Sequence, residues 1–139
     1  MQLEASLLMK IHVTLGEFQI VGGMPGRELC IIPITGGRFE GPLLHGQVCA
    51  GGADWNTRIS TTRSHVLAKY WIKTDDGVMI SVHNEGYIDD SADARIKTVP
   101  RFEVSSQSPY AFLNSGVYVG ELTAGSEPNS VDITLYQLA

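Results

Sequence analysis

Almost no stretch of this 139-residue chain sustains apolar residues at helical spacing for the roughly 10 to 12 residues that a helix needs. Short alternating runs dominate instead, and 15 Gly and 6 Pro punctuate the whole length. The runs read as strands at about 8–15, 28–35, 38–49, 57–62, 65–74, 78–87, 96–104, 110–113, 116–123 and 131–138. Between them, Gly22-Gly23-Met24-Pro25-Gly26 and the segment 125–130 read as surface loops. So many short strands in one small domain must close into a barrel or stack as a sandwich, because an open sheet leaves long edges exposed. The expected architecture is all-β, with residues 1–139 forming a single domain, a closed antiparallel β-barrel of about 8 to 10 short strands.

Composition narrows the partners. With 43% apolar and 18% charged residues the chain is neither disordered nor short of core, and a domain of this size buries about two-thirds of its unfolded surface without metal or disulfide staples. No apolar run approaches the ~20 residues of a membrane helix, so no membrane partner is expected. The formal charge is −5 and the 10 Lys and Arg are scattered, which leaves no footprint for a phosphate backbone and makes nucleic acid an unexpected partner. Only Ala5 to Met9 is apolar near the N-terminus, with no basic segment before it, so no signal peptide is expected and a cytoplasmic location is. There Cys30 and Cys49 stay reduced; lacking a C-x-x-C spacing, they read as small buried hydrophobes.

One hairpin can be registered from sequence. Asp75-Asp76-Gly77 makes a three-residue loop in which Gly77 supplies the left-handed backbone of a bulged turn. Thr74 then faces Val78, Ile72 faces Ile80, Tyr70 faces Val82 and Ala68 faces Asn84, all on one largely apolar face. The other face pairs Lys73 with Met79, Trp71 with Ser81, Lys69 with His83 and Leu67 with Glu85, and is half-solvated. Asn84 and the Tyr70 hydroxyl therefore sit among apolar neighbours, where each needs a hydrogen-bond partner or costs about 1 to 3 kcal/mol. A ligand is one such partner; backbone or ordered water is the other.

Two further segments join turn chemistry to polar groups. In Gly51-Gly52-Ala53-Asp54-Trp55 the glycines let the chain bend and then present a carboxylate with an indole, suited either to a pocket wall or to a simple turn cap. In Pro100-Arg101-Phe102-Glu103-Val104, Arg101 and Glu103 share one face. If Phe102 and Val104 are core, the charged pair is solvated; if the polar side faces inward, both aim at a ligand.

Sharper chemistries find no purchase. His12, His45, His65 and His83 lie on four segments without the i, i+4 or H-x-H spacing of a preformed metal site, so no metal is expected. Glu85, Asp89, Asp90 and Asp93 lack the glycine and terminal glutamate of a calcium loop. No phosphate-loop, dinucleotide or G-x-S-x-G pattern occurs, and no cofactor is implied.

The succession Ile31 to Pro42 (IIPITGGRFEGP), Gly51 to Trp55 (GGADW), Thr74 to Gly77 (TDDG), Asn84 with Gly86, Pro100 to Glu103 (PRFE) and Tyr110 to Asn114 (YAFLN) resembles the motifs of the family filed as domain of unknown function 3237, over nearly the whole chain. The resemblance implies a calycin-like, lipocalin-like antiparallel barrel with a central cavity. The family's characteristic polar positions fall on Asp54, Trp55, Asn84, Arg101, Glu103, Tyr110 and Asn114. This chain departs from the pattern around His83 and Glu85, at Phe112 where Trp is frequent, and between Ile88 and Val99.

The expected function is a cofactor-independent enzyme of small-molecule secondary metabolism, of lyase, isomerase or cyclase type, acting on an apolar natural product in the barrel. Small barrels resembling this one include catalysts of dehydration followed by [4+2] or hetero-Diels–Alder ring closure. Asp54, Arg101 and Glu103 are the expected catalytic residues, with Trp55, Tyr70, Asn84, Tyr110, Phe112 and Asn114 binding substrate. The alternatives are a non-catalytic carrier barrel for an apolar ligand, and an interaction protein using the face that carries Trp71 and Leu67. That patch suits a homodimer under any of the three readings.

Overall fold

The hairpin registered from sequence is present residue for residue in the computed structural model, which describes residues 1–91 and 95–139. Every pair from Leu67–Glu85 to Lys73–Met79 stands in the expected register. At its tip the Gly77 amide bonds the Thr74 carbonyl at 2.9 Å, with Gly77 at φ +93°. The two strands belong to a ten-strand antiparallel set: β1 (Ala5–Leu15), β2 (Gln19–Met24), β3 (Arg27–Glu40), β4 (His45–Val48), β5 (Ala53–Arg58), β6 (Arg63–Thr74), β7 (Met79–Asp89), β8 (Thr98–Glu103), β9 (Tyr118–Ala124) and β10 (Ser130–Leu138).

Eight positions close the barrel, in the order β1, β10, β9, β8, β7, β6, then β4 and β5 end to end, then β3, which pairs back onto β1. β5 lies between Glu28–Pro33 of β3 and Ser64–Lys69 of β6, whereas β4 spans Arg38–Glu40 and Ile72–Thr74. The 14-residue β3 is likewise flanked on its other edge by β1 over its second half and by β2 over its first. The expectation of a closed antiparallel barrel therefore holds.

The inward side chains divide the barrel into two halves. One end of the barrel is solid, packed by Met9, Ile11, Phe39, Ile72, Ile80 and Leu135 and plugged by Leu44 and Leu113 from its loops. Each such buried side chain contributes about 1.5–3 kcal/mol of transfer free energy. Toward the other end the inward residues become shorter or polar, and the interior is hollow.

Closure is uneven. β8 and β9 pair at a single position, Thr98 with Gly120. Beyond it Pro100, which has no N–H to leave unsatisfied, lies along the open edge. There the seam is shut by side chains: the Phe102 and Tyr118 rings meet edge to face at 5.1 Å and 83°, and the Tyr118 hydroxyl donates to the Phe112 carbonyl at 3.1 Å. Asn114 clamps the strand end by bonding both the N–H and the C=O of Val104.

Four strand expectations are corrected. The run at 28–35 continues through 38–40 as β3, because Gly36 and Gly37 stay in the ladder with β1 rather than at a turn, and the rest of the expected 38–49 run is the separate β4 at His45–Val48. Gly37 sits at φ +136° where β1 passes so close that a Cβ would collide with the His12 carbonyl oxygen. Gly22 to Met24 end a strand instead of forming a loop; β2 shows no alternation because both its faces are exposed. Residues 111–114 form a 3₁₀ turn, not a strand, closed by the Leu113 amide on the Tyr110 carbonyl. β5 comes at 53–58 rather than 57–62, because its inward residues Asp54 and Asn56 are polar and hide the pattern. No helix among the described residues is long and apolar enough to cross a membrane.

Phe102→Ala is expected to lower unfolding free energy by about 3–5 kcal/mol in urea titration and to accelerate amide exchange at the β8–β9 seam. Val99→Ala, on the exposed face of the same strand, should shift it by less than about 0.5 kcal/mol. Equal losses at the two positions would mean that the ring pair does not latch the barrel.

Candidate functional site

A cavity of about 340 Å³ occupies the hollow half of the barrel. Its wall is aliphatic, formed by Val13, Leu15, Ile32, Ile34, Val66 and Ile133 among others, with Phe18, Ile88 and Lys97 also contributing. Asp54, Asn56 and Tyr70 interrupt that wall, and Asn84 and Thr98 lie buried behind it. Asp54 on β5 pairs across to Ala68 on β6, Ala68 to Asn84 on β7, and Asn84 to Pro100 on β8. Strands lie about 4.8 Å apart, so the Asp54 and Asn84 backbones stand about 10 Å apart with only the Ala68 methyl between them. Tyr70, two residues beyond Ala68 on the same face, rises beside this gap, and Thr98, two residues before Pro100, points inward next to Gly120.

The electrostatics of the row are unusual for an interior. Asp54 Oδ1 accepts the Leu67 N–H at 3.1 Å. Burial nevertheless raises the Asp54 pKa above the ordinary carboxylate value, outweighing the bonds from Leu67 and Asn56 and the field of His65, which pull it down. Burial likewise pushes the Tyr70 phenol well above its usual range. The Tyr70 hydroxyl, Asn84 Oδ1 and Thr98 Oγ1 are all buried with no hydrogen-bond partner. Each such atom costs about 1–3 kcal/mol unless water or a ligand meets it.

Of the residues expected to form the site, Asp54 and Tyr70 line the cavity, and Asn84 lies buried behind its wall. The others are elsewhere. Phe102 is buried, so alternation turns Arg101 and Glu103 to the outer face of β8, and the expected convergence of Asp54, Arg101 and Glu103 does not occur. Trp55 follows inward Asp54 and therefore faces outward, 48% exposed. Asn114 is committed to the Val104 backbone. The Tyr110 hydroxyl donates to Asp76 at 2.8 Å beside the β6–β7 turn, and Phe112 packs partly buried against the solid core. Asn56 and Thr98 were not foreseen. Thr98 had one legible signal, its shared parity with Pro100 and Phe102.

Cys30 and Cys49 are unbonded and half-buried rather than fully buried. Three histidines pair with carboxylates: His12 with Asp132 at 2.6 Å, His45 with Asp75, and His65 with Glu85 at 2.8 Å. Among the described residues no three His, Cys, Asp or Glu side chains gather as a metal site would require. Asp93, grouped above with Glu85, Asp89 and Asp90, lies outside the described residues.

The family described as protein of unknown function (DUF3237) matches residues 3–138. A UPF0311 protein of Rhodopseudomonas palustris is 27% identical, the match covering 94% of this chain and 95% of that protein. A β-barrel like protein from Acinetobacter baumannii AYE superposes with a TM-score of 0.86 at 29% identity, covering 99% and 97% of the two chains. A structure described as an enzyme from Penicillium herquei superposes at 0.80 with 25% identity, covering 99% and 95%.

The raised Asp54 pKa has a signed consequence for stability. The native state holds the Asp54 proton more tightly than the unfolded chain, so Asp54 weakens the fold progressively as pH rises above 3.8 toward its native value. Asp54→Asn is expected to raise the thermal midpoint at pH 7, with the gain shrinking toward zero near pH 3. Tyr70→Phe, which deletes an unpartnered hydroxyl, should leave the midpoint unchanged or higher. Melting curves between pH 3 and 8 decide it; a pH-independent drop for both variants would mean that these groups stabilise the empty barrel.

Proposed function

The chain belongs to the DUF3237 family, and we propose that its barrel interior binds a compact, mostly apolar small molecule through an oxygen function. On that molecule it performs a cofactor-independent reaction of lyase, isomerase or cyclase type. The observation that carries this reading is the Asp54 carboxyl, desolvated and raised, on the wall of a largely aliphatic cavity that Asn56 and Tyr70 also line. A cavity of about 340 Å³ suits a small ligand and leaves little room for accompanying water.

The chemistry follows from the donor set. Tyr70 donates to a carbonyl or ether oxygen, and Asn56 on the same wall accepts from a hydroxyl, so the two fix one polar end of the ligand against apolar walls. Asp54, protonated over a wider pH range than an exposed aspartate, delivers its proton to a hydroxyl that departs as water. Its carboxylate then removes a proton from a neighbouring carbon, which restores the acid and completes an elimination. Returning that proton to a different atom gives an isomerisation. An internal hydroxyl adding to the activated carbon gives ring closure, which confinement in the pocket accelerates by orienting the two ends. Dehydration followed by [4+2] or hetero-Diels–Alder closure fits the same walls. The likeness to a structure described as an enzyme supports catalysis.

A carrier is the second reading, favoured by the same aliphatic wall and by the presence of Asp54 without Arg101 or Glu103 inside. Incubation with polyketide and terpenoid mixtures, followed by mass spectrometry, separates the two. Catalysis predicts product that falls about 100-fold or more in Asp54→Asn and about 10-fold in Tyr70→Phe, both folded. Ligand retained by the wild type, with no turnover, would sink the catalytic reading and leave the carrier.

A further inference from the structure

The outer face of β6, β7 and β8 carries an arrangement that neither the cavity nor the proposed reaction uses. Lys69 pairs with His83, and His83 with Arg101, so three basic side chains form one cross-strand row. Basic groups directly opposed in a sheet cost stability rather than adding it. The chain has acidic residues to spare at a net charge of −5, and its other histidines, His12, His45 and His65, each meet a carboxylate. This row does not. Among the described residues neither Lys69 nor Arg101 joins an ion pair, and His83 Nδ1 is buried without a hydrogen-bond partner.

The row borders a groove of about 480 Å³. It exists because β9 departs from β8 after the Thr98–Gly120 pair, leaving a mostly polar gap lined by Asn114, Gly116 and Pro100, with the buried Phe102, Leu113 and Tyr118 behind them. Ser81 and Glu103, paired across β7 and β8, stand in the adjoining row. The groove thus places two cations with an imidazole between them, a narrow apolar strip and one carboxylate side by side.

We propose that this groove is a binding site for a small organic anion with one acidic head, a carboxylate or a phosphate ester, on a short apolar body. Lys69, His83 and Arg101 take the anionic head, with the Arg101 guanidinium giving paired N–H donors to two of its oxygens. The body lies along Pro100, at the seam that Phe102 and Tyr118 close. Ser81 and Glu103 accept from a hydroxyl on the ligand, and the Glu103 charge disfavours a second anionic group. The occupant would rest on the ring pair that closes the barrel, on the opposite side of β8 from Asp54, so this site stands independently of the reaction proposed above.

Titration with benzoate, phenyl phosphate and inorganic phosphate, followed by calorimetry and by the His83 ring resonances, tests the assignment. Benzoate or phenyl phosphate should bind with a dissociation constant of about 1 mM or tighter and shift the His83 ring. The tighter of the two identifies the head group. Binding should weaken about 10-fold or more in Lys69→Gln and in Arg101→Gln, and fall with added salt. It should be unchanged in Asp54→Asn. Both groove substitutions are at exposed positions, and their thermal midpoints without ligand should equal or exceed that of the wild type, since they relieve like-charge opposition. The site does not exist if neither organic anion moves His83 up to about 20 mM, or if Arg101→Gln binds as the wild type does. Inorganic phosphate binding as tightly as phenyl phosphate would remove the organic body from the claim.

Discussion

A closed sheet divides every strand residue into inside and outside, and in this protein the division is completed by very little. The β1–β3 ladder joins the first strand to the third over six pairs, but β8 and β9 share one. Along the rest of that seam the edge-to-face contact of Phe102 with Tyr118 takes the place of a backbone ladder. An aromatic pair contributes about 0.5–1.5 kcal/mol beyond its buried area, comparable to a single net backbone hydrogen bond. Substituting side chains for ladder is therefore energetically sufficient, and it leaves a groove on the outside that a continuous ladder would have filled.

The interior is organised by the same economy. Aliphatic residues and two loop leucines, Leu44 and Leu113, fill one end, which carries the hydrophobic stabilisation. The other end forgoes that stabilisation. Ala68 is small where a larger residue would pack, and around it stand a desolvated carboxyl, a phenol and an amide with unmet hydrogen-bonding capacity. Sites that must bind something are commonly less stable when empty, because the groups that recognise a ligand are those the fold itself does not satisfy. Solid and hollow halves meet at Tyr70, Ile34, Val13 and Ile133, which belong both to the core and to the cavity floor.

Legibility followed local chemistry. The β6–β7 register could be read because a glycine-ended turn and period-two alternation specify each other, so one slip would have turned Ile72 and Ile80 outward. The placement of Tyr70 and Asn84 inside came with that register. β5 was misplaced because Asp54 and Asn56 break the alternation that marks a strand, and it is their inward polarity that makes the strand interesting. Arg101 and Glu103 illustrate the converse. Their pattern was clear, but alternation gives two faces without saying which one is the inside, and only the burial of Phe102 resolves it.

What the amino-acid sequence by itself determined was the class of structure and its local pairing: strands rather than helices, a closed sheet rather than an open one, a turn at Asp75–Gly77, and two polar groups stranded on an apolar face. Those properties depend on neighbours within a few residues or on one hairpin. Only the tertiary structure decided that Asp54, from a different strand pair, stands across Ala68 from Asn84, and that Arg101 instead joins Lys69 and His83 outside. Both outcomes depend on how eight strand positions are staggered around a closed circuit. That stagger is set by the sum of all the ladders and the one aromatic seam, and no single segment encodes it.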